Sequence, residues 1–403
     1  MKFEEREFIP VLLGGDINTY SVARAFYEQY RVRTYIFGKF PTGPSYNSRM
    51  INYHADPRID TDEYFLKTVN RFADRHKDKK IVLIGCGDSY VALISKHKGE
   101  LKDNIVAPYI DFELMNRLQQ KEIFYELCEK HGVDYPGTLV YDASMGLDFE
   151  MKFSFPVILK PSDSIQYWEH PFATQNKVYI IQDQKQLVQV IQDIYGAGYT
   201  DKLIIQDMIP GNDEYMRVLT AYSDRNGKVK MMCLGHVLLE EHTPHGLGNH
   251  AVIITEPNEE LMSGVKELLE GLHYVGFSNF DIKYDKRDGK YKFFEINTRQ
   301  GRSNYYVTAS GFNVAKYIVE EYIYGKELDF EIAKKEHLWM VVPRAVAFRY
   351  IKEKENKEKL KRLLKEKKMV NPVFLRGDLR PKRFLAMAKT HLSHFVKFKK
   401  YYR

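Results

Sequence analysis

The sequence has little of what marks secreted, disulfide-bonded or membrane-spanning proteins. Its three cysteines, Cys86, Cys128 and Cys233, are far apart and lack metal-ligand spacing, so we expect reduced core thiols. No run of about 18 apolar residues is present, which argues against a membrane-spanning helix. The stretch MKFEEREFIP has no apolar segment typical of a secretory signal. These absences predict a cytoplasmic globular protein.

Acidic residues are scarce in the last part of the chain. Residues 344–403 hold 20 of the 61 basic residues but only 5 of the 54 acidic ones, a net charge of +15 that leaves −8 for the rest. An anionic partner is therefore expected at this basic tail. No nucleic-acid recognition module is present, so nucleic acid is not an expected partner.

The segment RPKRFLAMAKTHLSHFVKFKKYYR is predicted to form an amphipathic cationic helix. Its apolar positions on one face are 384, 385, 388, 392, 395 and 396. Two interpretations stay open. In the first, the apolar face lies on an anionic membrane surface or contacts an anionic glycan or nucleotide substrate. In the second, it packs on the body of the protein. The first would make the protein peripheral to the inner face of the membrane.

The first hundred residues alternate strands and helices, which predicts a doubly wound parallel sheet. The apolar runs EFIPVLLGG and KKIVLIGCGD end in glycines and precede helical patterns. Neither is a GxGxxG fingerprint, so both are interpreted as tight turns rather than a dinucleotide site. Farther along, hairpin-like strands mix with helices, which indicates an α+β region.

A group of polar residues lies on two strands joined by the turn KRDG. Asp281 is on the first strand, and Glu295 and Asn297 are two apart on the second, so the latter two face the same side. Two carboxylates and an amide oxygen suit a hard divalent cation that bridges phosphates. The alternative is a solvated face or a salt-bridge cluster with Arg299 and Lys283.

Two lysines precede this group in a characteristic order. Lys121 occurs in QQKEIFYELCEKHGVDYPG, within a helix expected from 114 to 132, and Lys160 ends the strand of FPVILKP. The segments QDMIPG and EINTR follow. Across about residues 1–325 this order resembles the ATP-grasp superfamily of carboxylate–amine ligases. The resemblance implies an α/β and α+β ATP-grasp fold.

The implied domains are an N-terminal Rossmann-like pre-ATP-grasp domain (1–112), a small ATP-lid subdomain with its connecting helix (113–210), a mixed-sheet catalytic and metal subdomain (211–340) and a basic helical C-terminal extension (341–403). The implied cofactors are ATP and Mg²⁺, with Mn²⁺ as an alternative metal. The implied metal ligands are Asp281, Glu295 and Asn297.

The resemblance also implies the nucleotide contacts. Lys121 and Lys160 would contact the phosphates, helped by Ser164 where relatives carry a glycine-rich loop. Main-chain groups of the hinge Gln206, Asp207 and Ile209 would hold adenine. Either Asp213 or Glu214 would bind the ribose hydroxyls. Arg299, Arg302 and Arg217 are the candidate cations for the acyl phosphate.

Several segments, FEINTRQGRSNYYVTASG among them, look most like the D-aspartate ligases of peptidoglycan assembly. That resemblance implies an acyl phosphate on the β-carboxylate of D-aspartate, followed by attack of a lysine ε-amine. The expected partners are this amino acid and a nucleotide- or lipid-linked muropeptide such as UDP-MurNAc-pentapeptide. Alternatives are a ligase of other amino acids or dipeptides, or a non-catalytic, membrane-associated ATP-binding regulator. Histidines near residues 236–250 are candidate bases for the amine.

Overall fold

The computed structural model describes residues 1–244 and 246–402, and at residues 164 and 165 it describes the backbone only. The chain forms two compact units. The first contains Met1–Met115, Asn212–Asp281 and Ile296–Arg403, and the second contains Asn116–Gly211 and Ile282–Glu295. The four-part division drawn from the sequence stays a prediction beside this two-unit description.

A parallel sheet begins the first unit. Its strands are β1 (Phe8–Leu13), β2 (Thr34–Gly38), β3 (Ile51–Ala55), β4 (Lys80–Gly85) and β5 (Ile105–Val106). They lie in the order β3-β2-β1-β4-β5, and every pairing is parallel. The intervening helices are α1 (Ile17–Tyr30), α2 (Asp62–Arg75) and α3 (Asp88–Lys96). The predicted doubly wound sheet is confirmed, and its carboxyl-end loops lie at one edge.

The turn after β1 shows why this edge is rich in glycine. Gly14 has φ +136°, and a Cβ there would lie 2.4 Å from Oγ1 of Thr19. Only glycine tolerates both the positive φ and this close approach. Asp16 then caps α1 by accepting a hydrogen bond from the backbone N–H of Thr19.

The helix expected from 114 to 132 is two helices, so that prediction was wrong in its continuity. The structure has α4 (Phe112–Gln119) and α5 (Lys121–Lys130). The backbone at Gln120 is extended, with φ −79° and ψ 117°, which ends one helix and begins the next. Lys121 is consequently the first residue of α5, where its amide belongs to the first helical turn.

The second unit is built on a small antiparallel sheet. Its strands are β6 (Thr138–Tyr141), β7 (Val157–Pro161), β8 (Tyr179–Ile181) and β9 (Leu203–Asp207), in the order β6-β9-β7-β8. Two further helices are α6 (Ser164–Glu169) and α7 (Gln184–Gly196). Leu159, Ile181, Leu187 and Ile205 are buried in one cluster. The pairing of β7 with β9 sets Lys160 opposite Ile204.

A larger mixed sheet follows. Its strands are β10 (Met216–Ser223), β11 (Val229–Glu240), β12 (His250–Thr255), β13 (Gly276–Asp285), β14 (Lys290–Asn297), β15 (Glu331–Ile332), β16 (Leu338–Met340) and β17 (Met369–Val370). The order is β14-β13-β10-β11-β12-β16-β17, and β15 pairs with β11. The helices are α8 (Glu259–Gly271), α9 (Tyr305–Ala309) and α10 (Val314–Tyr322). This confirms the predicted mixed-sheet region with its antiparallel hairpins.

The basic tail is an integral part of the first unit. It contains α11 (Arg344–Tyr350), α12 (Lys354–Lys365) and α13 (Pro381–Tyr401). Leu360, Leu363 and Phe398 belong to the main core cluster of that unit. Arg383 is 2% exposed and lies 3.4 Å from the buried Asp378, with its guanidinium over the ring of Tyr20.

The apolar face predicted for the last helix faces outward. α13 packs through Arg383, Met387, His394 and Phe398, which are buried. Phe384, Leu385, Leu392, Phe395 and Val396 are 45–69% exposed. The interpretation in which these residues pack on the body was therefore wrong, because a different face of the helix makes that contact. Among the described helices, none combines the length and apolar character needed to span a bilayer.

Candidate active site

The two predicted phosphate lysines and one predicted metal ligand interact electrostatically inside the second unit. Lys160 lies in β7 between the buried residues Leu159 and Pro161. Burial, together with the charge of Lys121, lowers the pKa of Lys160 to about 7, and the carboxylate of Glu295 opposes that shift. An ammonium group that loses hydration beside a second ammonium is stabilised by a bound polyanion. This corner of the unit therefore suits a phosphate group.

The predicted hinge residues lie at the end of β9 and just after it. The side chain of Gln206 is buried, and its Nε2 donates to the hydroxyls of Tyr125 (2.8 Å) and Thr138 (2.9 Å). The side-chain amide of Gln206 is thus satisfied inside the unit. The sequence did not reveal this role, since Tyr125 is 81 residues away.

Asp207 and Ile209 make different contacts. Arg287 donates to both carboxylate oxygens of Asp207, so this side chain is held in an ion pair. Nζ of Lys283 donates to the carbonyl oxygens of Ile209 at 2.9 Å and Gly211 at 2.8 Å. The sequence suggests Lys283 only as part of a salt-bridge cluster. In the structure, the side chain of Lys283 fixes the hinge backbone through these two hydrogen bonds.

The two candidates for the ribose have distinct surroundings. Glu214 is 6% exposed and accepts from the backbone N–H groups of Lys352 and Glu353 and from Nδ2 of Asn356. It therefore binds the start of α12. Asp213 accepts from the backbone N–H of Glu240 (2.9 Å) and lies 2.9 Å from Nε2 of His242.

Two of the predicted metal ligands are in contact in the first unit. Nδ2 of Asn297 donates to Oδ2 of Asp281 at 3.3 Å, and Oδ1 of Asn297 accepts from Arg299 at 3.2 Å. The Asp281 carboxylate and the amide oxygen of Asn297 are oxygen ligands of the kind that a hard divalent cation takes. The donor set therefore fits a divalent ion. No group of three His, Cys, Asp or Glu residues suited to a metal occurs within the described part of the chain.

The three predicted arginines have separate partners. Arg299 forms a bidentate pair with Asp88, with Nε–Oδ1 at 2.7 Å and Nη2–Oδ2 at 2.9 Å. Arg302 lies 3.6 Å from Glu241. Nη1 of Arg217 donates to the carbonyl oxygens of Glu214 and Met216. The structure places Ser164 in α6 but leaves its side chain outside the described atoms.

A buried amide cluster holds the segment that carries Arg299 and Arg302, and the sequence did not point to it. Nε2 of Gln300 donates to the carbonyl of Gly85 (3.1 Å), and Nδ2 of Asn304 donates to Oδ1 of Asn18 (2.8 Å). These contacts attach the segment to the end of β4 and to the first turn of α1. The sequence features closest to this cluster are the glycines that end the first strands and the polar run after EINTR.

Of the candidate histidine bases, His245 lies outside the described residues. His250 is buried, and burial with the nearby charge of Arg302 lowers its pKa to about 4, so it is neutral at pH 7. Its Nε2 is 3.8 Å from Oδ1 of Asp281 and its Nδ1 is 3.5 Å from Oγ of Ser303. Nε2 of His236 lies 2.7 Å from the backbone carbonyl oxygen of Glu214, and Nε2 of His242 lies 2.9 Å from Oδ2 of Asp213.

Known proteins resemble this chain in both sequence and fold. It is 41% identical over 411 residues to the D-aspartate ligase of Enterococcus faecium (strain Aus0004), covering 99% of this chain and 98% of that protein. No protein-family model matches.

Three solved structures share the fold at low identity. L-amino acid ligase from Bacillus licheniformis is 16% identical with a TM-score of 0.51, covering 79% of this chain and 71% of that one. N5-carboxyaminoimidazole ribonucleotide synthetase from Thermus thermophilus is 15% identical with a TM-score of 0.57, covering 82% of each. A third is the biotin carboxylase domain of Hydrogenobacter thermophilus 2-oxoglutarate carboxylase, solved with MgADP. It is 15% identical with a TM-score of 0.59, covering 81% of this chain and 72% of that one. The chain therefore belongs to the D-aspartate ligase family, among the ATP-dependent carboxylate–amine ligases of the ATP-grasp fold.

Proposed function

We propose that this protein activates the β-carboxylate of D-aspartate with ATP and joins it to the lysine ε-amine of a peptidoglycan precursor peptide, UDP-MurNAc-pentapeptide. The observation that carries the proposal is the 41% identity to a D-aspartate ligase along 99% of the chain. The chemistry of the candidate residues agrees with it, because lysines, paired oxygen ligands and arginines are what phosphoryl transfer to a carboxylate requires.

We assign the nucleotide to the lysines and the hinge. Lys160 and Lys121 bind the phosphates, and a bound polyanion favours the protonated form of Lys160, whose pKa is lowered to about 7 by burial and by the charge of Lys121. The backbone around Gln206, Asp207 and Ile209 holds adenine, with Lys283 fixing that backbone. Ser164 is assigned to the phosphates by the sequence pattern alone.

We assign the ribose to Asp213 rather than Glu214. Three donors from the start of α12 already occupy the Glu214 carboxylate, and moving it would leave buried N–H groups without an acceptor. Asp213 can exchange its contact with His242 for a hydroxyl at lower cost.

Asp281, Glu295 and Asn297 are the proposed ligands of Mg²⁺, with Mn²⁺ as an alternative metal. A bound divalent ion supplies charge neutralisation to the phosphates. The residues of the chain do the remaining positioning. Arg299, held by both oxygens of Asp88, has a fixed guanidinium orientation, which suits it to an acyl phosphate. Arg302 and Arg217 are the other proposed cations of this step.

The reaction then proceeds by two transfers. The substrate carboxylate attacks the γ-phosphorus and ADP leaves, which gives an acyl phosphate. The amine attacks the acyl carbon, phosphate leaves and an amide bond forms. A direct test incubates the protein with ATP, D-aspartate and UDP-MurNAc-pentapeptide and examines the muropeptide by mass spectrometry. Addition of one aspartyl residue supports the proposal, and an unmodified muropeptide with active protein refutes it.

We also propose that α13 contacts an anionic membrane surface. Phe384, Leu385, Leu392, Phe395 and Val396 form an exposed apolar strip. Lys382, Lys389, Lys399 and Lys400 on the same helix are also exposed. An exposed apolar strip bordered by lysines is complementary to acidic lipid headgroups over acyl chains.

Truncation would remove core residues such as Phe398, so surface variants test the membrane proposal better. The double variant Leu385→Glu/Val396→Glu should lose co-sedimentation with phosphatidylglycerol vesicles, while Val178→Glu, at an exposed site on the other unit, should keep it. Wild-type protein should not sediment with phosphatidylcholine alone. Equal sedimentation of the double variant and wild type would contradict the proposal.

A further inference from the structure

The buried side of α13 helps to enclose a cavity in the first unit. The cavity has a volume of about 290 Å³. Its charged and titratable lining residues are Asp16, Glu241, Arg302, His391, His394 and Lys397. The volume is at the lower end of the roughly 300–1,000 Å³ typical of small-molecule sites. Because three of these side chains come from α13, the basic tail supplies one wall of a site that contains Arg302.

The cavity brings charges of both signs together without closing them into tight pairs. Oε1 of Glu241 is 3.6 Å from Nη2 of Arg302 and 3.6 Å from Nε2 of His394. Both distances exceed those of a charge-assisted hydrogen bond. Burial raises the pKa of Glu241. The neighbouring His394 and Arg302 lower it by more, so this pKa lies below its usual value. Glu241 is therefore a carboxylate at neutral pH, and it can accept from a ligand's ammonium group.

The two histidines of the wall are oriented by the backbone. The carbonyl of Val341 accepts from Nδ1 of His391 at 2.8 Å, and the carbonyl of His391 accepts from Nδ1 of His394 at 3.0 Å. Carbonyl oxygens only accept, so each Nδ1 carries the proton. The Nε2 atom of His394 lies 3.6 Å from Oε1 of Glu241, so the imidazole forms the cavity wall beside that carboxylate.

The cavity is linked to the candidate metal ligands through one side chain. His250 lies 3.5 Å from Ser303, the neighbour of Arg302, and 3.8 Å from Asp281. The buried side chain of His250 thus lies between the segment that carries Arg302 and the candidate metal ligand Asp281. A zwitterion with an additional carboxylate matches this layout.

We infer that this cavity binds the amino-acid substrate by its α-ammonium and α-carboxylate groups, with Glu241 accepting from the ammonium and Lys397 donating to the α-carboxylate, which leaves Arg302 for the side-chain carboxylate that is activated. This inference rests on the proposed function, because it assumes an amino acid whose side-chain carboxylate is activated. Held in this way, aspartate directs that carboxylate out of the cavity, toward the segment that carries Arg299. The C-terminal helix is then a determinant of amino-acid specificity.

Steady-state kinetics test the inference with Lys397→Ala, Glu241→Gln and the exposed control Lys361→Ala. We expect KM for D-aspartate to rise roughly tenfold or more in the first two variants, the size of one lost charge-assisted hydrogen bond. KM for ATP should stay within about twofold in all three. Lys397→Arg should recover most of the affinity because it keeps the charge. Thermal unfolding of each variant checks that the fold is intact.

Each outcome separates this inference from the proposed function. If wild type uses D-aspartate but both variants keep its KM within about twofold, the cavity assignment is wrong while the function stands. A rise confined to KM for the muropeptide would assign the cavity to the acceptor and overturn the inference. If wild type does not use D-aspartate, the proposed function fails, and calorimetric titration of other amino acids into wild type and Lys397→Ala still tests the cavity.

Discussion

Replacing Lys160 by methionine should make the free protein more stable and abolish its response to ATP. Burial and the charge of Lys121 lower the pKa of Lys160 from 10.5 to about 7. At about 1.36 kcal/mol per pKa unit, this shift sets a ceiling of about 5 kcal/mol on the cost of burying the ammonium. Lys160 is partly exposed, so we discount the expected gain for Lys160→Met to about 1–2 kcal/mol. Methionine keeps the unbranched apolar stem.

The pH dependence of this gain has a definite sign. Between about pH 7 and 10.5 the unfolded chain binds more protons at this site than the folded chain, so wild-type stability rises with pH there. The advantage of Lys160→Met is therefore complete below about pH 7 and disappears as the pH approaches 10.5. Binding of ATP should instead favour the protonated lysine, so ATP affinity of wild type should increase as the pH falls through 7.

Thermal unfolding with and without MgATP measures both effects. Free Lys160→Met should unfold a few degrees above wild type at neutral pH. Saturating MgATP should stabilise wild type by about 2.7 kcal/mol at 100 times its Kd and the variant hardly at all. A melting temperature of the free variant below that of wild type, together with an intact MgATP shift, would refute the reasoning.

Three further variants have separate expected results. Asp281→Asn combined with Asn297→Ala should remove nearly all metal-dependent ADP formation while the melting temperature of the free protein changes little, and undiminished turnover would contradict the metal assignment. Asp88→Asn frees the guanidinium of Arg299 from its bidentate pair, so kcat should fall about tenfold or more with little change in KM for ATP; an unchanged kcat would show that the pair does not position Arg299. Glu214→Ala leaves the start of α12 without its acceptor and should lower the free energy of unfolding by about 1–3 kcal/mol in denaturant titration, and a neutral result would contradict the capping role.

Much of the fold could be predicted because its signals are local. Glycine-ended apolar runs identified the parallel sheet, and the two-residue spacing of Glu295 and Asn297 followed from strand periodicity. Asn297 and Asp281 are neighbours in the structure, 3.3 Å apart, while their role as metal ligands stays a prediction. The break at Gln120 was missed because helical spacing continues across it.

Partners distant along the chain could not be predicted. Arg299 is 211 residues from Asp88, and no sequence spacing relates them. The two faces of α13 show the same limit. Helical periodicity identified the apolar strip, but the contact with the body uses Arg383 and His394, which composition alone assigns to the surface. His394 is buried beside Glu241, which is distant along the chain, and Arg383 is buried beside Asp378 of the same tail.

The proposed reaction is the activation of D-aspartate for attack by an amine acceptor. Its sharpest test is ADP release measured with D-aspartate and then with L-aspartate, each with MgATP and UDP-MurNAc-pentapeptide. We expect release that depends on both D-aspartate and the muropeptide, with little from L-aspartate. Equal or greater release with L-aspartate, or none with D-aspartate from a protein that binds MgATP, would contradict it.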